Sequence, residues 1–182
     1  MSDPEFPAAV QPASNLLTAS DILAILREQD WLASDPTPEI NAWCERAAAL
    51  LGRSCNDRAV LTELLRAVFS YDATLILQSP DSHSVIARVG ARDVIRHLAL
   101  FLLDPAPLST DRFREIIEFL KTHIGLRSRD LFHPLRLALT GRAGEGDLDR
   151  LILLLDEAAC LPFAVPVKSA RARILEFCAA LD

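Results

Sequence analysis

The residues able to do chemistry are few, and their spacing fits no catalytic constellation. Gly141-Arg142-Ala143-Gly144-Glu145-Gly146 has the composition of a phosphate-cradling loop, but it follows a helical pattern rather than a strand. It also lacks the Lys-Ser/Thr pair and the βαβ setting that a nucleotide loop needs. The histidines His83, His97, His123 and His133 do not repeat at ligand spacing. Cys44, Cys55, Cys160 and Cys178 form no Cys-x-x-Cys pair, so no metal site is expected. Their apolar surroundings read as buried or half-buried thiols in a reducing cytosol. Serines sit at helix starts, not in a Gly-x-Ser-x-Gly elbow, and the carboxylates are dispersed. No enzyme chemistry and no cofactor are expected of this chain by itself.

Arginine is the residue type that stands out, with 17 Arg against 2 Lys. The chain carries 19 Lys+Arg and 25 Asp+Glu, a net charge of −6. An acidic total excludes indiscriminate coating of nucleic acid. It does not exclude a local site. Between Arg112 and Arg136 lie Arg112, Arg114, Lys121, Arg127, Arg129 and Arg136, Arg142 follows, and Lys168, Arg171 and Arg173 form a second cluster. Arginine forks at loops and helix ends suit phosphate and base-edge contacts. The same residues equally describe solvated helix faces.

The elements that position these residues read as helices. Of the 182 residues, 51% are hydrophobic and 24% charged, a globular balance. No apolar run reaches membrane length, no signal peptide is visible, and a cytoplasmic location is expected. Met1-Ser2-Asp3-Pro4-Glu5-Phe6 reads as a translated cloning site, and residues 7 to 15 as a lead-in. Thr18 or Ser20 starts a helix expected to reach Leu32. Thr37 with Pro38 starts one that Gly52 stops, and Asn56 or Asp57 starts one running through Tyr71. Ser79-Pro80-Asp81 reads as a turn before a helix from about Ser82 to Val89, and Gly90 separates a further stretch through Leu103. Ser109 or Thr110 caps a helix that ends at Gly125. Ser128 caps Arg129–Thr140, ended by Gly141, with Pro134 expected to bend it or shorten its first turn. Asp147 is expected to cap a continuous Leu148–Glu157 helix, and Lys168 or Ser169 the last one. The fold class is all-α. Asp104-Pro105-Ala106-Pro107 is the clearest linker and divides two small helical subdomains, 7–103 and 104–182.

Asp130-Leu131-Phe132-His133-Pro134-Leu135-Arg136-Leu137-Ala138-Leu139-Thr140-Gly141 resembles the "LF.PLR.ALTG" segment near the end of bacterial glutamyl-tRNA synthetases, class I aminoacyl-tRNA synthetases. A helix before it, a glycine loop after it and a Leu-rich helix beyond fit the same context. Upstream, Leu61, Glu63 and Leu64 are loosely similar to the family's "ERxKTLxEL" stretch. Gly146-Asp147 departs from the family's usual Gly-Pro. His123-Ile124-Gly125-Leu126 looks like the His-Ile-Gly-His signature of the class, but it ends a helix, where the dipole repels phosphate.

The resemblance implies the C-terminal, anticodon-binding helical cage of such an enzyme, without its catalytic Rossmann domain. It implies tRNA as partner, around the anticodon of a glutamate tRNA, with a catalytic synthetase domain in cis or in trans. The candidates for tRNA contact are Arg136, Arg142, Arg129, Arg127, Lys121, Lys168, Arg171 and Arg173. Arg136 is equally open to a structural role on helix-end carbonyls. A helical protein–protein interaction or scaffold domain of the same fold is the alternative.

Overall fold

The computed structural model describes residues 17–52, 55, 57–144 and 146–182. The cloning-site reading of 1–6, the lead-in and Asn56 lie outside them. Helices alone form the regular structure among the described residues: α1 (Ala19–Glu28), α2 (Pro38–Leu51), α3 (Arg58–Phe69), α4 (Ala73–Leu77), α5 (Pro80–Ile86), α6 (Ala91–Leu102), α7 (Thr110–Ile124), α8 (Ser128–Thr140), α9 (Asp147–Ile152), α10 (Leu155–Ala158) and α11 (Ala170–Leu181). The all-α expectation holds.

Most starts are local events. Thr18, Thr37, Asp57, Ser109 and Ser169 each accept a backbone N–H in the first turn of the helix they open. At α1 the cap is reciprocal, because the Asp21 carboxylate accepts the Thr18 N–H at 2.7 Å. These bonds from Thr18 hold the Asp21 carboxyl below the usual range.

Several boundaries differ from the sequence reading. α1 stops at Glu28, short of Leu32. Asp30 turns left-handed (φ 56) and the N–H groups of Trp31 and Leu32 both donate to the Leu26 carbonyl. The reversal drops Trp31 and Leu32 into the core. α3 ends at Phe69, and the unforeseen α4 follows it. Pro80 opens α5 instead of making a free turn, as proline does at a first helical position. α8 begins at Ser128, itself at φ 49, with Arg127 in the cap position. Pro134 lies within α8, which continues through it. The expected Leu148–Glu157 helix is broken into α9 and α10, and Asp147 is its first residue rather than its cap. Leu151, Ile152, Leu154 and Leu155 are all fully buried, which one straight helix packed on one face does not achieve.

The packing crosses the division expected at Asp104–Pro107. One apolar cluster runs from Ile22 to Phe177. α11 packs on α4, α6 and α8, and α9 packs on α2 and α3. The fully buried Trp43 of α2 donates its indole N–H to the Leu154 carbonyl at 3.2 Å. Phe69, Trp43 and Phe163 meet edge to face, and Trp31 stacks on Phe69 at 4.5 Å. The linker itself is closed by Arg112, whose guanidinium donates to the carbonyls of Phe101, Asp104 and Ala106. The Asp156 carboxylate accepts from Leu108 N at 2.7 Å and Ala170 N at 2.8 Å, tying the linker to the start of α11.

Arg173 of α11 lies wholly inside, at 0% exposure. Its guanidinium donates to the carbonyls of Ala67 (2.8 Å), Val68 (2.5 Å), Leu139 (2.9 Å) and Lys168 (2.9 Å) and lies over the Tyr71 ring at 4.6 Å. The first three carbonyls end α3 and α8, where helix dipoles are negative and cations are favoured. Burial pulls the guanidinium down to about 10, so it stays charged at neutral pH. Burial pushes the Tyr71 phenol up, and that hydroxyl donates to Ala138 O at 2.5 Å. Arg173→Ala strands three or four buried carbonyls and is expected to cost about 3–5 kcal/mol. Chemical denaturation reads that loss; a loss under about 1 kcal/mol contradicts this account of the helix junction.

Candidate functional site

The expected arginines and lysines fall into three places rather than one. The first is the corner where α7 meets α8. α7 ends at Gly125, in the left-handed conformation that closes helices. Across the turn, Lys121, Arg127 and Phe132 line an open recess of about 840 Å³. Arg129 stands exposed in the first turn of α8. Lys121 pairs with Glu118 at 2.7 Å on the same helix. Arg127 and Arg129 have no acidic partner among the described residues. Both sit at the N-terminal end of α8, where the dipole is positive and cations are disfavoured. Two unpaired arginines there, beside a left-handed Ser128, are locally unfavourable. His123 is committed elsewhere: its ring stacks on Phe119 at 3.6 Å and its Nδ1 lies 3.1 Å from the Phe119 carbonyl.

The second place is the loop after α8. Gly141 ends α8 at φ 76, and a Cβ there would sit 2.9 Å from Ile76 Cδ1, so only glycine fits. Arg136, on the core side of α8, bonds the Asp149 carboxylate through Nε and Nη2, both at 2.7 Å. Its Nη1 donates to the Gly144 carbonyl at 2.7 Å, and its guanidinium covers the Phe132 ring at 4.9 Å. Arg136 is buried at 8% exposure. Its donors are spent on holding the loop to α9, a structural role exerted on a carboxylate and a loop carbonyl rather than on the helix-end carbonyls expected. The consequence reaches the first place, because the ring that Arg136 covers also lines the recess there. Arg142 is half-exposed and reaches Glu63 of α3 at 3.0 Å.

The third place, the start of α11, does not converge with the others. Arg173 is enclosed and has no surface to offer a ligand, which removes it from the contact set. Lys168 pairs with Glu176 at 2.6 Å and donates to the Tyr71 carbonyl at 3.0 Å. Burial works to raise the Glu176 carboxyl, but the Ala73 N–H and Lys168 outweigh it and hold it below the usual range. Arg171 is exposed and lines a separate recess beside Cys160. The sequence reading passed over a further basic row, Arg88, Arg92 and Arg96. Its every-fourth-residue spacing is visible in the chain.

Among the described residues no group of three or more His, Cys, Asp or Glu side chains is placed to hold a metal ion. No helix among them is long and apolar enough to cross a membrane. The cysteines are free. Burial, with Glu45 adding to it, pushes the Cys44 thiol up to about 12. Burial also raises Cys55 and Cys178. Cys160 is exposed.

A stretch of 63 residues, 35% of the chain, is 41% identical to Glutamate–tRNA ligase 1 of Brucella ovis. The same figures hold for Glutamate–tRNA ligase 1 of Brucella abortus and Glutamate–tRNA ligase 2 of Brucella melitensis. The matched stretch spans 14% of the length of these relatives. No family model matches the chain, and no solved structure does. Part of this chain is therefore related to part of glutamyl-tRNA synthetases.

Two outcomes follow from the geometry. Asp149→Ala leaves the buried Arg136 guanidinium without its carboxylate and is expected to cost about 2–4 kcal/mol. Hydrogen exchange should quicken in residues 141–146 first; uniform quickening across α8 contradicts the clamp. At pH 8 a thiol reagent should modify Cys160 quickly and Cys44 only on unfolding, because the reactive thiolate is suppressed by burial. Mass mapping that finds Cys44 modified in the native protein refutes this ordering.

Proposed function

We propose that this chain is a tRNA-binding module of glutamyl-tRNA synthetase type, without catalytic activity of its own, that contacts a glutamate tRNA around its anticodon. The carrying observation is the α7–α8 corner. There Lys121 and Arg127 line one recess with Phe132, Arg129 stands exposed in the adjoining first turn of α8, and Phe132 belongs to the segment that resembles those synthetases. Unpaired RNA bases stack on aromatic faces while neighbouring cations bind the backbone phosphates. Arg127 and Arg129 gain by binding RNA, because phosphate supplies the negative charge that the end of α8 lacks. Arg142 extends the basic surface from the far end of α8. Arg136 is a positioning residue that fixes Phe132 and the loop at Gly144. Lys168 and Arg171 lie outside the contact.

The helical scaffold reading is favoured by one observation: Arg136, Arg142, Lys121 and Lys168 are each paired with a carboxylate of this chain. Titration with labelled glutamate tRNA separates the two. Binding is expected at about 50 mM salt and should fall steeply by about 200 mM. Arg127→Glu with Arg129→Glu should weaken it by roughly tenfold or more, since each reversed charge removes an attraction and adds a repulsion. No binding at the lower salt rejects the proposal in favour of a scaffold. Glutamate-dependent ATP–pyrophosphate exchange by this chain rejects its non-catalytic part.

A further inference from the structure

We propose that Arg88, Arg92 and Arg96 form a second, sequence-blind cradle for the phosphate backbone of the same RNA. The inference rests on the tRNA reading and deepens it. Arg92 and Arg96 are one helical turn apart on α6 and face a single open recess of about 740 Å³, which Arg88 and His83 also line. Neither Arg92 nor Arg96 has an acidic partner among the described residues, although most exposed arginines of this acidic chain do. Like charges a turn apart on a helix repel, so the pair is unfavourable until an anion lies between them. Asp93 is the sole carboxylate lining the recess, against three guanidinium groups.

The backbone places the row deliberately. Gly90 sits between Arg88 and Arg92 at φ 80, and a Cβ there would meet Leu126 Cδ1 at 2.6 Å. That left-handed residue turns the chain from the end of α5 into α6, so Arg88, in the turn after α5, and Arg92, on α6, share one recess. Leu126 belongs to the α7–α8 turn, which fixes the row against the corner that carries Arg127. Arg88 reaches Asp130 of α8 at 3.7 Å and also lines the neighbouring recess of about 400 Å³ with Arg142. The guanidinium groups therefore run from Arg96 through Arg92 and Arg88 to Arg142. A broad, open, charge-lined track fits a polyanion strand rather than a small enclosed ligand, and no Phe, Tyr or Trp ring lines its main recess to stack on bases.

The test is equilibrium binding of this chain to glutamate tRNA and to the same tRNA with a replaced anticodon, across a salt series. The proteins are wild type, Arg92→Ala/Arg96→Ala and Arg92→Lys/Arg96→Lys, with thermal midpoints measured to verify folding. The alanine pair should flatten the log–log salt slope by about 1.5, the share of two phosphate contacts. It should weaken both tRNAs by the same factor, and the lysine pair should restore most of the slope. An unchanged slope and affinity in the alanine pair, with wild type binding, overturns the cradle and leaves the tRNA reading standing. A loss confined to the native anticodon overturns it too, because that is base recognition. Failure of the wild type to bind either tRNA removes both proposals together.

Discussion

A single buried positive charge joins the parts of this molecule. The Arg173 guanidinium has no carboxylate among its four acceptors, only carbonyls, and it survives there because of whose carbonyls they are. Ala67 and Val68 end α3, and Leu139 ends α8. Each helix brings roughly half a negative charge to that point. Two such ends supply what an ion pair would, without a second desolvated ion. The junction therefore fixes α3, α8 and α11 to one another. α8 is a rod of about 20 Å at 1.5 Å per residue, so fixing its C-terminal end also aims its N-terminal end. The unpaired Arg127 and Arg129 stand at that far end.

This geometry explains why the segment Asp130–Gly141 is recognisable. Leu131, Pro134, Leu135, Leu137, Ala138 and Leu139 are all buried, and Arg136 is tied to Asp149. The segment is a strut. Its residue types are constrained by packing against α6, α9 and α11, and packing tolerates little change in volume. The exposed or half-exposed basic groups lie at its two ends, the unpaired Arg127 and Arg129 on one side and Arg142, paired with Glu63, on the other. A likeness carried by such a strut transfers a scaffold more securely than it transfers a specificity.

What was legible in the sequence was local. Thr37 before Pro38, Ser109 three residues ahead of Arg112, and Gly125 and Gly141 after their apolar stripes all act within one turn, so neighbouring residues suffice to read them. What was not legible depends on partners far along the chain. α4 has five residues and too little periodicity to announce itself; its first N–H is accepted by Glu176, 103 residues later. The linker at Asp104–Pro107 reads as a boundary because prolines punctuate chains. Yet Arg112 closes it, and the core continues beneath. Arg173 reads as a surface cation because arginine usually is one, and only the convergence of two helix ends from elsewhere makes an interior place for it. Arg136 was legible in half: its type and position were clear, its spending on Asp149 was not.

The acidic total and the proposed nucleic-acid role are reconciled by where the acids are. Arg27, Arg46, Arg58, Arg66, Arg114 and Arg142 each lie within 4 Å of a carboxylate. Exposed pairs of this kind add little stability, but they silence the charge of both members at a distance. The surface field is then weak almost everywhere, and long-range steering of a polyanion is correspondingly small. Among the described residues, positive potential survives where exposed arginines lack partners: singly at Arg171 of α11, and in two pairs, at Arg127 and Arg129 on the α8 end and at Arg92 and Arg96 on α6. Those two patches are linked through Arg88 and its contact with Asp130. A surface built this way discriminates by the distance between its few open charges. A flexible polyanion that cannot hold phosphates at both patches together meets only one of them, while a rigid, folded RNA of matching shape gains both at once.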